Sequence, residues 1–249
     1  MDDLSDIVSE TLEAMSSSQI AKKRSREVKT LRGVRGTPIS EIAQIAAAAW
    51  EESPPKVSDS DALSELFGTA WEDGLVAIGL LAAAMVDNPM DGLDLGLDWA
   101  ERLDDVATAD ALGWLVIGPG ALLSKRPIKQ VISSLKGHRR PEVRRAGVMA
   151  ALAHLPTPIE GPSAAPLRSR LGQSHAQFVD TALSPAVADI ASAFVRDEAP
   201  SVRKALRRVL RSWAKADPQA VVEWGDAVRG GLPKLLRAEV EKARRKASR

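Results

Sequence analysis

A short motif that occurs twice constrains the fold of this chain more than any other feature. Residues 141–146 read PEVRRA and residues 200–205 read PSVRKA, and in both copies a proline suited to the first turn of a helix precedes paired cations. The segment between them is rich in proline and glycine. If roughly 15–20 of its residues form an inserted loop, the remaining period is about 40, which is typical of repeats built from helical hairpins. Two unrelated helices that share an N-terminal signature are the alternative explanation.

The rest of the chain shows helical periodicity and no convincing alternation of apolar and polar residues, so we expect helices and no strands. Thr37 and Pro38 predict an N-terminal cap, in which the threonine accepts free amide hydrogens. The predicted helices cover Asp3–Ser18, a segment from Ile39 to Trp50, Ser60–Trp71, Leu75–Val86, Gly92–Leu103, Val106–Ile117, Lys125–Lys136, Pro141–Leu155, His175–Val195, Pro200–Ala216, Pro218–Val228 and Pro233–Ala247. The prediction is an all-α, right-handed α-solenoid of HEAT-like helical hairpins. It forms a single domain over residues 1–249, with a Pro/Gly-rich insert at about 156–174.

Charge is segregated along the chain although the formal net charge is only +1. Residues 1–124 hold 9 Lys/Arg and 22 Asp/Glu, whereas residues 125–249 hold 25 and 11. Such a basic half predicts a surface for a polyanion. The alternative is that the two halves neutralise each other across an internal interface.

The predicted helix at Pro200–Ala216 concentrates this positive charge. Its apolar residues fall at helical spacing, and its cations lie beside one another with no acid among them. Mutual repulsion of these cations has to be offset, and phosphate groups would do so. The cations that we expect to contact double-stranded DNA are Arg144, Arg145, Arg203, Lys204, Arg207, Arg208 and Arg211.

Several kinds of chemistry receive no support. The chain has no cysteine, its three histidines show no metal-ligand spacing, and it has neither a phosphate-binding loop nor a dinucleotide fingerprint. We therefore expect no metal and no cofactor.

The longest apolar runs, Leu75–Val86 and Ala111–Leu123, are shorter than the ~20 residues of a membrane span. We expect no membrane association, a cytoplasmic location and a monomer.

Stretches in order along most of the chain resemble the DNA alkylation repair proteins built from HEAT-like repeats, the family of alkylpurine DNA glycosylases. Gly33–Ile39 resembles an early helix entry of that family, and Trp71–Leu75 resembles the start of its next helix pair. Trp99 followed by Leu103–Asp110 is similar to its tryptophan–aspartate segment. The closest stretch is Val202–Leu206 with its continuation to Pro218.

The resemblance implies a DNA glycosylase that removes N3- or N7-alkylated purines from duplex DNA without drawing the base fully into a pocket. The alkylated base already carries positive charge, so it leaves without a general acid. Asp110 takes the place of the family's catalytic aspartate. Its carboxylate would stabilise the oxocarbenium-like sugar and orient water.

Four positions depart from the family pattern. The two tryptophans that flank the lesion in characterised members fall at Val106 and Arg208, and a common Glu and Arg fall at Ala77 and Gly79. An arginine in place of the second tryptophan, Arg208, suggests a contact with a DNA phosphate rather than with the base. Trp114, one turn beyond Asp110, is either a base-contacting residue or a core tryptophan.

Two other functions are compatible with the sequence. One is that of a catalytically silent protein that recognises DNA structure by backbone contacts, and the other is that of a solenoid whose basic side binds an acidic protein partner. DNA binding that ignores lesions would indicate the first, and absence of DNA binding at low salt would indicate the second.

Overall fold

The computed structural model describes residues 4–172, 177–228 and 231–248. Helices dominate this part of the chain, and within it the only β-type pairing is an isolated bridge between Gly33 and Ala70. The all-α prediction is confirmed. The helices are α1 (Leu4–Ala14), α2 (Ser18–Val28), α3 (Ile39–Glu52), α4 (Ser60–Thr69), α5 (Trp71–Ala84), α6 (Pro89–Ala100), α7 (Val106–Leu112), α8 (Gly118–Leu123), α9 (Ile128–Lys136), α10 (Pro141–Met149), α11 (Ala165–Leu171), α12 (Ser184–Phe194), α13 (Pro200–Ala216), α14 (Pro218–Ala227) and α15 (Lys234–Ala247).

These helices stack as hairpins in two layers. One layer, here called the site layer, consists of α3, α5, α7–α8, α10, α13 and α15, and each of its members contacts the next. The other layer contains their hairpin partners α4, α6, α9, α12 and α14. The two helices that begin with the repeated motif, α10 and α13, lie side by side in the site layer. Because each hairpin buries its apolar face on its neighbours, the chain is a helical-repeat solenoid.

Helix α7 is fixed at its first residue by a buried carboxylate. Asp105 caps the helix, because its side chain accepts hydrogen bonds from the backbone amides of Ala107 and Thr108. Its oxygens also accept from the Trp71 indole and from Arg32. The start of α7 is therefore held against α5 and the segment that precedes α3.

A π-helical turn at Gly113–Ile117 joins α7 to α8, so that the two form one helix of 18 residues. By length and mean hydropathy (1.5) this helix is able to cross a membrane, but 67% of it is buried within the protein. Gly113 allows the close approach of α10, since a Cβ there would lie 2.2 Å from the carbonyl oxygen of Ala146. The widened turn thus begins at a close contact with α10.

The Pro/Gly-rich insert, residues 156–172, is more ordered than the loop that the sequence predicts. It contains a 3₁₀ turn at Pro162–Ala164 and then α11, and both contact α3 and α5. The contact with α5 is close at Gly79, where a Cβ would lie 2.5 Å from the carbonyl oxygen of Ser163. The insert therefore folds back onto the site layer. Residues 173 and 174 of the predicted insert lie outside the described residues.

Three local predictions are wrong for identifiable reasons. The Thr37 side chain does not cap α3, because its hydroxyl donates to the carbonyl of Leu12. Helix α2 was not expected, because a buried ion pair between Arg24 and Glu72 anchors it rather than an apolar face. The helix predicted from His175 begins at Ser184, since Pro185 fits only its first turn. His175 itself lies outside the described residues.

The pH dependence of stability follows from His154, which ends the helical segment before the insert. Its side chain is buried, both ring nitrogens lack a hydrogen-bond partner among the described residues, and burial lowers its pKa to about 4. The unfolded chain binds this proton below pH ~6.5, whereas the folded chain does not. The free energy of unfolding is therefore unaffected by this group above that pH. It falls by about 3 kcal/mol in total as the pH is lowered towards 4 and beyond.

We expect His154→Leu to flatten this decline between pH 6.5 and 4.5 in urea unfolding experiments. His138→Leu, at a half-buried histidine, is the control and should keep the slope of the parent chain. A parent chain with equal stability at the two pH values would contradict the assignment.

Candidate functional site

Asp110 lies in α7 with its side chain 20% exposed, and both of its oxygens bind one guanidinium. Arg145 Nε is 2.6 Å from Asp110 Oδ1, and Arg145 Nη2 is 2.9 Å from Asp110 Oδ2. The remaining nitrogen of Arg145, Nη1, donates to the backbone carbonyl of Ser201 at the start of α13. A single buried arginine therefore holds the carboxylate in a fixed orientation and ties α7, α10 and α13 together.

A second guanidinium approaches the same carboxylate from α13. Arg208 Nη1 is 3.4 Å from Asp110 Oδ2, and the Arg208 guanidinium lies over the ring of Trp114, 5.2 Å from its centroid. The Arg208 side chain is 47% exposed. One carboxylate with two guanidiniums leaves this group of side chains with a net charge of +1.

A cavity of about 290 Å³ adjoins these charged groups. Its walls are mainly apolar, and two of the side chains in them are the indoles of Trp71 and Trp114. The complete lining consists of Ile39, Trp71, Leu75, Ala107, Asp110, Ala111, Trp114, Leu115, Glu160, Gly161, Pro162, Ser163 and Arg208. The insert and the helix that carries Asp110 thus both contribute to the lining.

Two residues of this lining carry buried polar atoms without a hydrogen-bond partner in the described part of the chain. They are the indole nitrogen Nε1 of Trp114 and the hydroxyl of Ser163. Each unsatisfied group lowers the free energy of unfolding by about 1–3 kcal/mol. We therefore expect a compensating role in stability or function for a structure that keeps both. Trp71 differs, because Asp105 accepts its indole hydrogen and Arg24 lies over its ring.

The cations of the first motif are engaged within the chain. Arg144 forms a bidentate ion pair with Asp197 and donates to the carbonyl of His138. The hydrogen bond with Asp197 raises the pKa of Arg144 above its usual value. Arg203, in the second motif, donates to the carbonyl of Asp197. These contacts join α10 to the turn before α13.

Glu239 of α15 binds further cations of α13. It is 4% exposed, and Arg207 and Arg211 both donate to its oxygen Oε1, at 2.5 and 3.0 Å. Burial alone raises the pKa of Glu239, but the hydrogen bonds from the two arginines outweigh burial and hold it below the usual value. The sequence argument that the cations of α13 need an external anion is therefore corrected in part, because Glu239 offsets some of their repulsion.

Lys204 and Lys215 remain exposed on α13 and form no ion pair with any described residue. With Arg208 and Arg211, each about half exposed, they place four cations on this helix at positions 204, 208, 211 and 215. The rise of 1.5 Å per residue spreads the four over about 16 Å. This row, Lys204 to Lys215, is called the α13 ridge below.

The positions that depart from the family pattern have distinct environments. Val106 is 42% exposed and lines a different cavity beside Lys204, so it is not part of the Asp110 cavity. Gly79 lies directly beneath the backbone of Ser163, where an arginine side chain would collide with the insert. Ala77 is fully buried.

Sequence reasoning missed the contributions of Trp71, Asp105 and the insert. Their roles depend on contacts between segments far apart in the chain, although the run Trp71-Glu72-Asp73 at a helix start was a visible signal. The described residues contain no group of three or more acidic or histidine side chains arranged to hold a metal ion.

Comparisons with known proteins agree with this architecture. A family model described as "DNA alkylation repair enzyme" matches residues 8–240. The structure is similar to that of a predicted DNA alkylation repair enzyme from Enterococcus faecalis, with a TM-score of 0.64 and 18% sequence identity over 92% of this chain and 96% of that one. The comparison with curated protein sequences gave no significant match.

The Asp110–Arg145 pair makes a prediction about stability. Arg145→Gln leaves a largely buried carboxylate without its bidentate partner, so we expect a loss of about 3–5 kcal/mol in the free energy of unfolding. Arg139→Gln, at an exposed arginine, is the control and should change it by less than about 0.5 kcal/mol. Urea denaturation at pH 7 measures both, and equal small losses would show that the pair does not join the helices.

Proposed function

The chain belongs to the DNA alkylation repair enzyme family, and on that premise we propose that it excises N3- or N7-alkylated purines from duplex DNA. The observation that carries the proposal is the position of Asp110. A partly exposed carboxylate, fixed by a buried arginine, lines a cavity that two tryptophans also line. No other carboxylate lines that cavity except the exposed Glu160 of the insert.

The chemistry needs little more than this carboxylate. An alkylated purine carries positive charge and departs with the electron pair of the glycosidic bond. Positive charge then develops on the sugar, where Asp110 stabilises it and orients the attacking water. Arg145 acts as a positioning residue, because it engages both oxygens from the side of α10. Arg208 is more exposed and more distant, so it is free to leave when DNA binds.

The α13 ridge supplies the phosphate contacts in this proposal. Lys204, Arg208, Arg211 and Lys215 are exposed and lie on α13, from which Arg208 reaches Asp110. Arg144, Arg145, Arg203 and Arg207 were also expected to bind phosphates. Their guanidiniums are engaged by acids or carbonyls of the chain, and they are less exposed than Arg208 and Arg211, which also contact acids. We assign these four to holding the helices in place. The double-stranded DNA partner, the monomeric state and the cytoplasmic location remain predictions.

Excision of 7-methylguanine from methylated duplex DNA tests the proposed activity. We expect release by the parent chain and a loss of at least about 100-fold in Asp110→Asn, because the carboxylate charge that stabilises the sugar is gone. Asp98→Asn, at an exposed acid of α6, is the matched control and should keep the parent rate. Absence of release above the uncatalysed background by the parent chain would remove the enzymatic proposal.

Binding of DNA without catalysis is the second candidate, and one observation favours it. Arg208 partly neutralises Asp110 and covers Trp114, and Val106 supplies no aromatic surface at the other family position. A chain of this kind would bind DNA through the α13 ridge and ignore the lesion. Binding of an acidic protein partner is a further alternative, indicated by absence of DNA binding at low salt.

The salt dependence of DNA binding tests the α13 ridge under either candidate. Lys204→Ala with Lys215→Ala should lower the slope of log K against log salt by about 2, because each lost phosphate contact removes about 0.9. Lys22→Ala with Lys56→Ala removes two exposed lysines far from this helix and should leave the slope unchanged. Fluorescence anisotropy on a short duplex measures it, and equal slopes in all three proteins would exclude the ridge as the contact surface.

A further inference from the structure

A groove lies between the last two helices of the site layer, α13 and α15, and adjoins the α13 ridge. Its volume is about 320 Å³. The apolar residues that line it are Leu210, Ala214 and Ala243, and the charged ones are Arg211, Lys215, Glu239, Lys242 and Lys246. The residues from α15 recur every three or four positions, so this helix presents one face to the groove. We call this feature the C-terminal groove.

The cations of the C-terminal groove are accessible to a ligand. The side chains of Arg211 and Lys242 are 50% and 62% exposed, and Lys215 and Lys246 are exposed as well. Glu239 is the only acid among the described residues that line the groove, and it is buried. Four cations and one carboxylate leave a net charge of +3. Charges of one sign at this proximity repel one another, and an anion between them relieves the repulsion.

These cations keep hydrogen-bond donors that contacts within the chain do not use. Lys246 Nζ donates to the carbonyls of Ala214 and Lys215 at the end of α13, at 2.9 and 3.1 Å, which places this lysine beside the groove. An ammonium has three donors, so one of them remains. Arg211 donates to Glu239 through Nη2, and its guanidinium has further N–H groups. The groove therefore has donors for the oxygens of a phosphate.

The C-terminal groove and the α13 ridge form one continuous basic surface, because Arg211 and Lys215 belong to both. The ridge follows α13 for about 16 Å, and the groove extends it to the neighbouring helix, at the ~8–10 Å spacing of packed helices. Such continuity suits a polymer that carries charge at regular intervals. Duplex DNA carries one phosphate charge per ~1.7 Å of its axis.

We propose that the C-terminal groove binds backbone phosphates of duplex DNA, through Lys242 and Lys246 of α15 together with the end of the α13 ridge. The inference rests on the DNA binding of the proposed function, to which it adds contacts from a second helix. Glu239 is then an internal competitor of the phosphates. Its carboxylate engages Arg207 and Arg211, and so limits the positive charge that DNA meets.

The salt dependence of binding to a short fluorescent duplex without lesions tests the groove. We expect Lys242→Ala with Lys246→Ala to lower the slope of log K against log salt by about 2, because two phosphate contacts are lost. Lys234→Ala with Arg237→Ala is the matched control, at two exposed cations of α15 outside the groove. Arg237 resembles Lys246 in that it donates to a backbone carbonyl, that of Leu232. The control should keep the parent slope. An unchanged slope in the groove variant, or an equal fall in both variants, would overturn the proposal.

Two single variants extend this test. Lys242→Ala alone keeps the hydrogen bonds of Lys246 to α13, and should lower the slope by about 1. Glu239→Gln keeps the shape of the side chain but removes its charge, so Arg207 and Arg211 are held less firmly. We expect it to bind the duplex more tightly and with a steeper slope than the parent chain. Weaker binding by a Glu239→Gln protein that urea denaturation shows to be folded would contradict the competition.

The outcomes distinguish this proposal from the enzymatic one, because the duplex carries no lesion. If the slopes change as expected and the parent chain excises no 7-methylguanine, the groove stands and the enzymatic proposal fails. If excision occurs and the slopes are equal, the enzyme holds DNA without the groove. A poly-glutamate peptide is the competing probe. If Lys242→Ala with Lys246→Ala weakens binding of the peptide and leaves the duplex slope unchanged, the groove binds an acidic protein and the proposal is overturned.

Discussion

The bidentate ion pair between Asp110 and Arg145 is the contact on which the site depends. It joins α7 to α10, and the third nitrogen of Arg145 reaches the first turn of α13 through the carbonyl of Ser201. Removal of Asp110 would leave the buried Arg145 without an ion partner, so the geometry of the site and the packing of the three helices are coupled. The carboxylate is positioned by the same contact that holds the site layer together.

The sequence was sufficient to predict the architecture wherever local periodicity governs it. Helix α13 begins and ends at the predicted residues, Pro200 and Ala216, because the proline and the apolar spacing act within the helix itself. The predictions failed where distant contacts decide. Helix α2 depends on Glu72, and the insert depends on the bare backbone at Gly79. Neither dependence is visible in the local sequence.

The candidate site also combines features that the local sequence predicts with features that depend on distant contacts. Asp110 was a candidate because the segment Leu103–Asp110 resembles the family's, and Trp114 was a candidate because it lies one turn beyond Asp110 on the same helix. The pairing of Arg145 with Asp110, and of Arg207 with Glu239, joins residues about thirty positions apart. A row of cations on one helix cannot show which of them meet acids on its neighbours. Charge patterns therefore overestimate the number of cations available to a ligand.

The separation of charge along the chain has a consequence for how the molecule would approach a polyanion. In a solenoid each hairpin contacts mainly its neighbours, so an acidic first half and a basic second half become two oppositely charged ends of one body. Separated charges of opposite sign give such a body a dipole although its net charge is only +1. The field of a polyanion would orient this dipole before contact and bias first encounters towards the end that carries α13.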